Sequence, residues 1–61
     1  MIFHYKGAVT LFGRIIAFQW EATTRATSMA KAISNLKFQY RRSFGLEMNV
    51  PIQLVEKVTT V

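Results

Sequence analysis

Met29-Ala30-Lys31-Ala32-Ile33-Ser34-Asn35-Leu36-Lys37-Phe38-Gln39-Tyr40-Arg41-Arg42-Ser43 is where the hydrophobic period of this chain changes. Met29, Ile33, Leu36 and Tyr40 recur at steps of four, three and four, with Ala32 and Phe44 flanking them. That spacing places them on one face of a helix. Thr24, Thr27 and Ser28 are candidate N-caps, none followed by the acidic or amide residue of a capping box. Arg41 and Arg42 fall in the last turn, where a cation meets the negative end of the helix dipole. Gly45 then offers a C-terminal stop, with Leu46 placed for the apolar contact that accompanies it.

Upstream of the helix the period is two. Residues 2–9 read as a first strand, Thr10-Leu11-Phe12-Gly13 as a turn, and residues 14–21 as a second strand that pairs with the first as a hairpin. In the second strand Ile16, Phe18 and Trp20 alternate with Ile15, Ala17, Gln19 and Glu21. Residues 22–27 form a polar connection. Downstream, residues 46–50 form a loop, and Pro51 admits only an edge or first-residue position. Ile52 and Leu54 alternate with Gln53 and Val55 in a third strand over residues 51–58, and Thr59-Thr60-Val61 is read as a frayed end. The expected fold is α+β in the order β-β-α-β. A three-stranded antiparallel-type sheet carries one helix on one face, with the first strand central. Ile16, Phe18, Trp20, Ile52 and Leu54 are the expected sheet side of the core. The face away from the helix stays open and carries Ile2, Ile15, Ala17 and Val55.

The 61 residues are read as one small domain. A chain of this size buries only about 60% of the surface its unfolded form exposes. With no cysteine, disulfides and thiolate metal sites are excluded. One histidine, His4, and three carboxylates, Glu21, Glu47 and Glu56, leave few ligands for any other metal centre. No metal or other cofactor is expected. Homo-oligomerisation, or docking on a host protein, is the expected source of extra stability, through Ile2, Ile15, Ala17 and Val55.

Eight Lys and Arg against three Glu give a net charge of +5, which suits an anionic partner. At 100° per residue Lys31, Ser34, Phe38, Arg41 and Arg42 cluster opposite Leu36. Lys31, Arg41 and Arg42 are therefore the candidate phosphate contacts, and Phe38 a ring on which an unpaired base could stack. The partner expected is nucleic acid or a nucleoprotein. Ser28, Ser34 and Ser43 lack a nucleophile-elbow context, and Gly7, Gly13 and Gly45 are too scattered for a phosphate loop. No catalytic residue is assigned and no enzymatic role is expected. No apolar run approaches the roughly 20 residues that span a bilayer, so no membrane partner is expected. The start Met1-Ile2-Phe3-His4-Tyr5-Lys6 lacks the pattern of a secretory signal, so the expected location is the cytoplasm of a bacterial host.

The alanine-rich run from Ala26 to Arg42, after a Trp/Phe-rich strand and before Gly45 and Pro51-Ile52-Gln53-Leu54, resembles short proteins of Gram-positive phages and mobile elements. That resemblance implies an origin and no activity. The Lys6-Gly7 start, the β-β-α-β order and the basic helix end also loosely resemble the archaeal large-subunit ribosomal protein of the LX type. That second resemblance implies the topology alone.

Overall fold

A computed structural model describes residues 1–61. The elements are β1 (Ile2–Leu11), β2 (Arg14–Arg25), α1 (Met29–Ser43), β3 (Ile52–Leu54) and β4 (Thr59–Thr60). The sheet is antiparallel in the order β2-β1-β3, with β4 paired to another part of β1. The fold is α+β with β1 central, as the patterning predicts. The third strand departs from expectation. Residues 51–58 are not one strand, because the chain leaves β1 after Leu54 and returns only at Thr59. Thr59 and Thr60, expected to fray, pair with His4 and Phe3.

β1 is longer than the sequence predicts because the turn is tighter. β2 is longer at its other end, because residues 22–25, expected to be part of a polar connection, continue the ladder against Ile2–Tyr5. Leu11 pairs with Arg14, leaving Phe12 and Gly13 as a two-residue loop. Their φ angles are +52° and +77°. Two positive φ values in succession define the mirror-image turn whose twist matches a hairpin. Gly13 adopts this without cost. Phe12 does not, since a bulky side chain disfavours the left-handed region.

The face assignment of β2 needs correcting. Ladder partners share a face. Tyr5 pairs with Ala22, Gly7 with Trp20, and Val9 with Ala17, so Trp20 and Ala17 look the same way although three residues apart. Two register shifts, between Gly7 and Val9 and between Val9 and Thr10, insert extra β2 residues. Each inserted residue flips the alternation that follows it. Trp20 therefore packs on the core as expected, but Ile16 and Phe18 are exposed. Ala17, expected on the open face, is half-buried against the core.

The core is built on Tyr5, Val9, Leu36 and Ile52, all essentially fully buried, with Phe3, Ala32 and Tyr40 around them. Full burial of a side chain such as Leu36 contributes about 1.5–3 kcal/mol. Trp20 links sheet to helix. Its ring lies 6.1 Å from that of Tyr5 and 5.1 Å, edge-on, from that of Tyr40. Phe44 stacks on Tyr40 at 4.5 Å. Burial pushes the Tyr40 hydroxyl above the usual tyrosine range.

Tyr5 also repairs the sheet where the third strand breaks. Between Phe3–His4, paired with β4, and Val9–Leu11, paired with β3, β1 has no ladder partner on that side. The Tyr5 hydroxyl fills the gap. It donates to the Ala8 carbonyl and accepts from the Glu56 N–H at 3.2 Å. Buried backbone groups need such partners when a ladder is interrupted. Glu56 crosses over Gly7 so closely that a Cβ there would meet Glu56 Cγ at 2.3 Å.

The helix is held at both ends. Ser28 is the N-cap, and its Oγ accepts from the Lys31 N–H at 3.3 Å. At the other end Leu46 N–H donates to Arg41 O at 2.7 Å and Gly45 N–H to Arg42 O at 3.4 Å. With Gly45 at φ +69°, this is a Schellman stop.

Candidate nucleic-acid interface

Helix α1 carries four cations, Lys31, Lys37, Arg41 and Arg42, and no carboxylate. Its inner face is fixed by Ala32, Leu36 and Tyr40, which are buried. Lys31, Ser34, Phe38 and Arg42 are exposed, as the helical projection predicts. Phe38 is 41% exposed, enough to offer part of a ring face to a ligand while its base packs on the helix.

The four cations occupy three different settings. Lys31 and Arg42 point to solvent. Arg41 is half-buried, and its Nε donates to the Val50 carbonyl at 2.8 Å. It therefore pins the 46–50 loop, whose Leu46 and Val50 pack on the core. Only the terminal nitrogens of its guanidinium stay available, since the group offers several donors beyond Nε. Lys37 belongs to a separate cleft of about 530 Å³ between the helix and residues 53–58, lined by Met29, Ile33, Leu54, Lys57 and Val58 among others.

A further cation joins the outward face from outside the helix. Asn35 Nδ2 donates to the Arg25 carbonyl at 3.4 Å, and Gln39 Nε2 to the Thr23 carbonyl at 3.1 Å. These bonds bring the exposed Arg25 alongside the helix. Sequence reasoning misses Arg25 because its place depends on how the helix lies across β2. None of the eight Lys and Arg side chains has a carboxylate within ion-pair distance; the sole ion pair joins His4 and Glu21 at 2.7 Å.

That pair lies on the sheet face away from the helix, which is not the apolar surface the sequence predicts. Its centre is polar, with His4 opposite Thr23 and Thr59, and Lys6 opposite Glu21. Ile2 and Ile15 are exposed but sit toward opposite ends of the hairpin. Val55, also exposed, lies outside the strands, and Ala17 faces the core. Ile2, Ile15, Ala17 and Val55 therefore form no continuous patch. His4 and Glu21 were unlinked in sequence, 17 residues apart, and the hairpin register brings them together. No group of three or more His, Cys, Asp or Glu gathers in a way that could hold a metal ion.

Comparison with protein-family models, with characterised proteins and with solved structures returns no match for this chain.

Proposed function

We propose that this chain is a small, basic, non-enzymatic interaction module, of the kind phages and mobile elements encode, and that it binds nucleic acid or a nucleoprotein. The observation that carries the reading is the outward face of α1. Lys31, Arg42 and the neighbouring Arg25 are free of carboxylate partners, and Phe38 lies among them. A phosphate backbone supplies the missing counter-charge, with counterion release as the driving force. Phe38 adds a stacking surface for an unpaired base. Arg41 serves chiefly to position the 46–50 loop, and reaches phosphate only with its terminal nitrogens.

The alternative reading, self-association or protein binding through the open sheet face, has less support, because that face is polar at its centre. The test is fluorescence anisotropy with labelled single-stranded and duplex oligonucleotides across a salt series. The logarithm of the affinity should fall linearly with the logarithm of salt, by about 0.9 per phosphate neutralised on duplex and about 0.7 on single strands. Arg42→Ala should reduce that slope by roughly one contact. Phe38→Ala should cost about 1–3 kcal/mol on single strands and leave the slope unchanged. Absence of binding to any oligonucleotide at about 50 mM salt, where phosphate contacts are strongest, would overturn the proposal.

A further inference from the structure

The outer edge of β2 is covered along one half and bare along the other. Ala26 N–H donates to Met1 O, and the same ladder pairs Phe3 with Thr24 and Tyr5 with Ala22. Even-numbered residues of this half turn their backbone groups toward β1. The odd-numbered ones turn theirs outward, and there Gln39 and Asn35 take the carbonyls of Thr23 and Arg25. The half from Arg14 to Glu21 has no such cover. Leu11 and Arg14 flank the two-residue turn as a hydrogen-bonded pair, so the backbone groups of Ile15 also point outward. Along this bare stretch Phe18 is 86% exposed, Ile15 53% and Ile16 41%, with Phe12 at 83% on the turn.

We infer that β2 pairs with β2 of a second copy of this chain, antiparallel and about a two-fold axis at Phe18. The register follows from the outward backbone groups. Ile15 of one copy lies opposite Glu21 of the other, and the two Phe18 rings meet on the axis. The ends of the bare half carry opposite charges, Arg14 and Glu21, and antiparallel pairing brings each to the end held by the other. The two bulges fall between the two outward-pointing positions and leave Ile16 and Phe18 out of the core, exposed along this stretch. A standard interface takes about 800 Å² from each partner. That is roughly a fifth of the 4336 Å² that this chain exposes, and a Phe side chain supplies about 150–250 Å².

The assembly closes at two. The covered half of β2 stops further pairing at Thr23–Arg25. The opposite sheet edge is broken into strands of three and two residues, β3 and β4, with Pro51 at its start. An isologous contact of this kind has no free copy of itself left to propagate. A two-fold axis perpendicular to the sheet keeps both helices on the same side. Two basic faces then look in one direction.

Sedimentation velocity on the full chain without nucleic acid tests this separately from the role of the basic helix face. The wild type should be a dimer at high micromolar concentration. Phe18→Asp should raise the dimer dissociation constant roughly thirtyfold or more, the effect of losing a central buried aromatic anchor. Its circular dichroism should match that of the wild type, because so exposed a ring adds little to the monomer. Amide exchange provides a second reading, with Ile15 and Glu21 N–H groups gaining protection as concentration rises. A wild-type monomer, a dimer indifferent to Phe18→Asp, or an assembly that keeps growing with concentration would each overturn the inference.

Discussion

The two halves of β2 belong to one strand yet behave as different materials. From Ala22 to Arg25 the strand gives its edge carbonyls to Asn35 and Gln39, next to Trp20, whose ring packs on Tyr5 and Tyr40. From Arg14 to Gln19 it carries two bulges, a bare edge and most of the molecule's exposed hairpin hydrophobes. The difference lies in how far the helix reaches. Fifteen residues at about 1.5 Å each cover one end of the hairpin, while strands rise about twice as fast per residue. A twelve-residue strand therefore outruns the helix that packs across it. Edge protection in this fold is an accident of length on one half and absent on the other, which is how a sheet acquires a place to pair.

The contrast is most easily broken at Leu36. Leu36→Ala should lower unfolding free energy by about 2–5 kcal/mol, read from urea titration, because the side chain is fully buried between helix and sheet. Phe18→Ser, on the bare half, should change monomer stability by less than about 0.5 kcal/mol when measured under dilute conditions. Comparable losses at the two positions would mean that both halves share one core.

Gln39→Ala sharpens the same comparison at the edge itself. It leaves the Thr23 carbonyl without its donor and should cost about 0.5–1.5 kcal/mol. It should also extend the pairing edge, so that association strengthens while stability falls. Thermal melting and sedimentation on one preparation read both quantities.

The smallest expected effect is at the turn. Phe12→Asn places a residue that tolerates positive φ where the bulky ring is strained, and should stabilise the monomer by about 0.5–1 kcal/mol. That the turn holds an 83% exposed Phe instead of such a residue is a local cost with no return inside the monomer. A melting temperature that falls on this substitution would show that the ring packs against its own chain.

Legibility in the sequence divides along the same line. The helix body and its stop were readable, because Met29, Ile33, Leu36 and Tyr40 keep one period and Gly45 ends it, whereas Thr24, Thr27 and Ser28 competed for its start and the structure caps it at Ser28. The outward placement of Lys31, Phe38 and Arg42 followed from that period alone. The faces of Ile16, Phe18 and Ala17 were not readable. A bulge is set by how β1 and β2 pair, and a single inserted residue reverses every assignment beyond it. Nor could residues 51–58 be divided in advance. Their alternation continues through Glu56, but the Tyr5 hydroxyl and Gly7 hold Glu56 out of the ladder.

Patterning by itself determined the element types, their order β-β-α-β and the charge of the helix face, because each depends on periodicity or composition within a short window. The central first strand followed from the rule for a helix that connects two strands. Tertiary structure decided the rest. It chose which cations stay free, pinning Arg41 to Val50 and drawing Arg25 beside the helix. It turned the expected apolar sheet face into a polar one and moved the exposed hydrophobes to an uncovered strand edge. The physical reason is that backbone hydrogen bonds must be satisfied across the whole sheet at once. Where a strand bulges, breaks or outruns its helix is settled by partners distant in sequence.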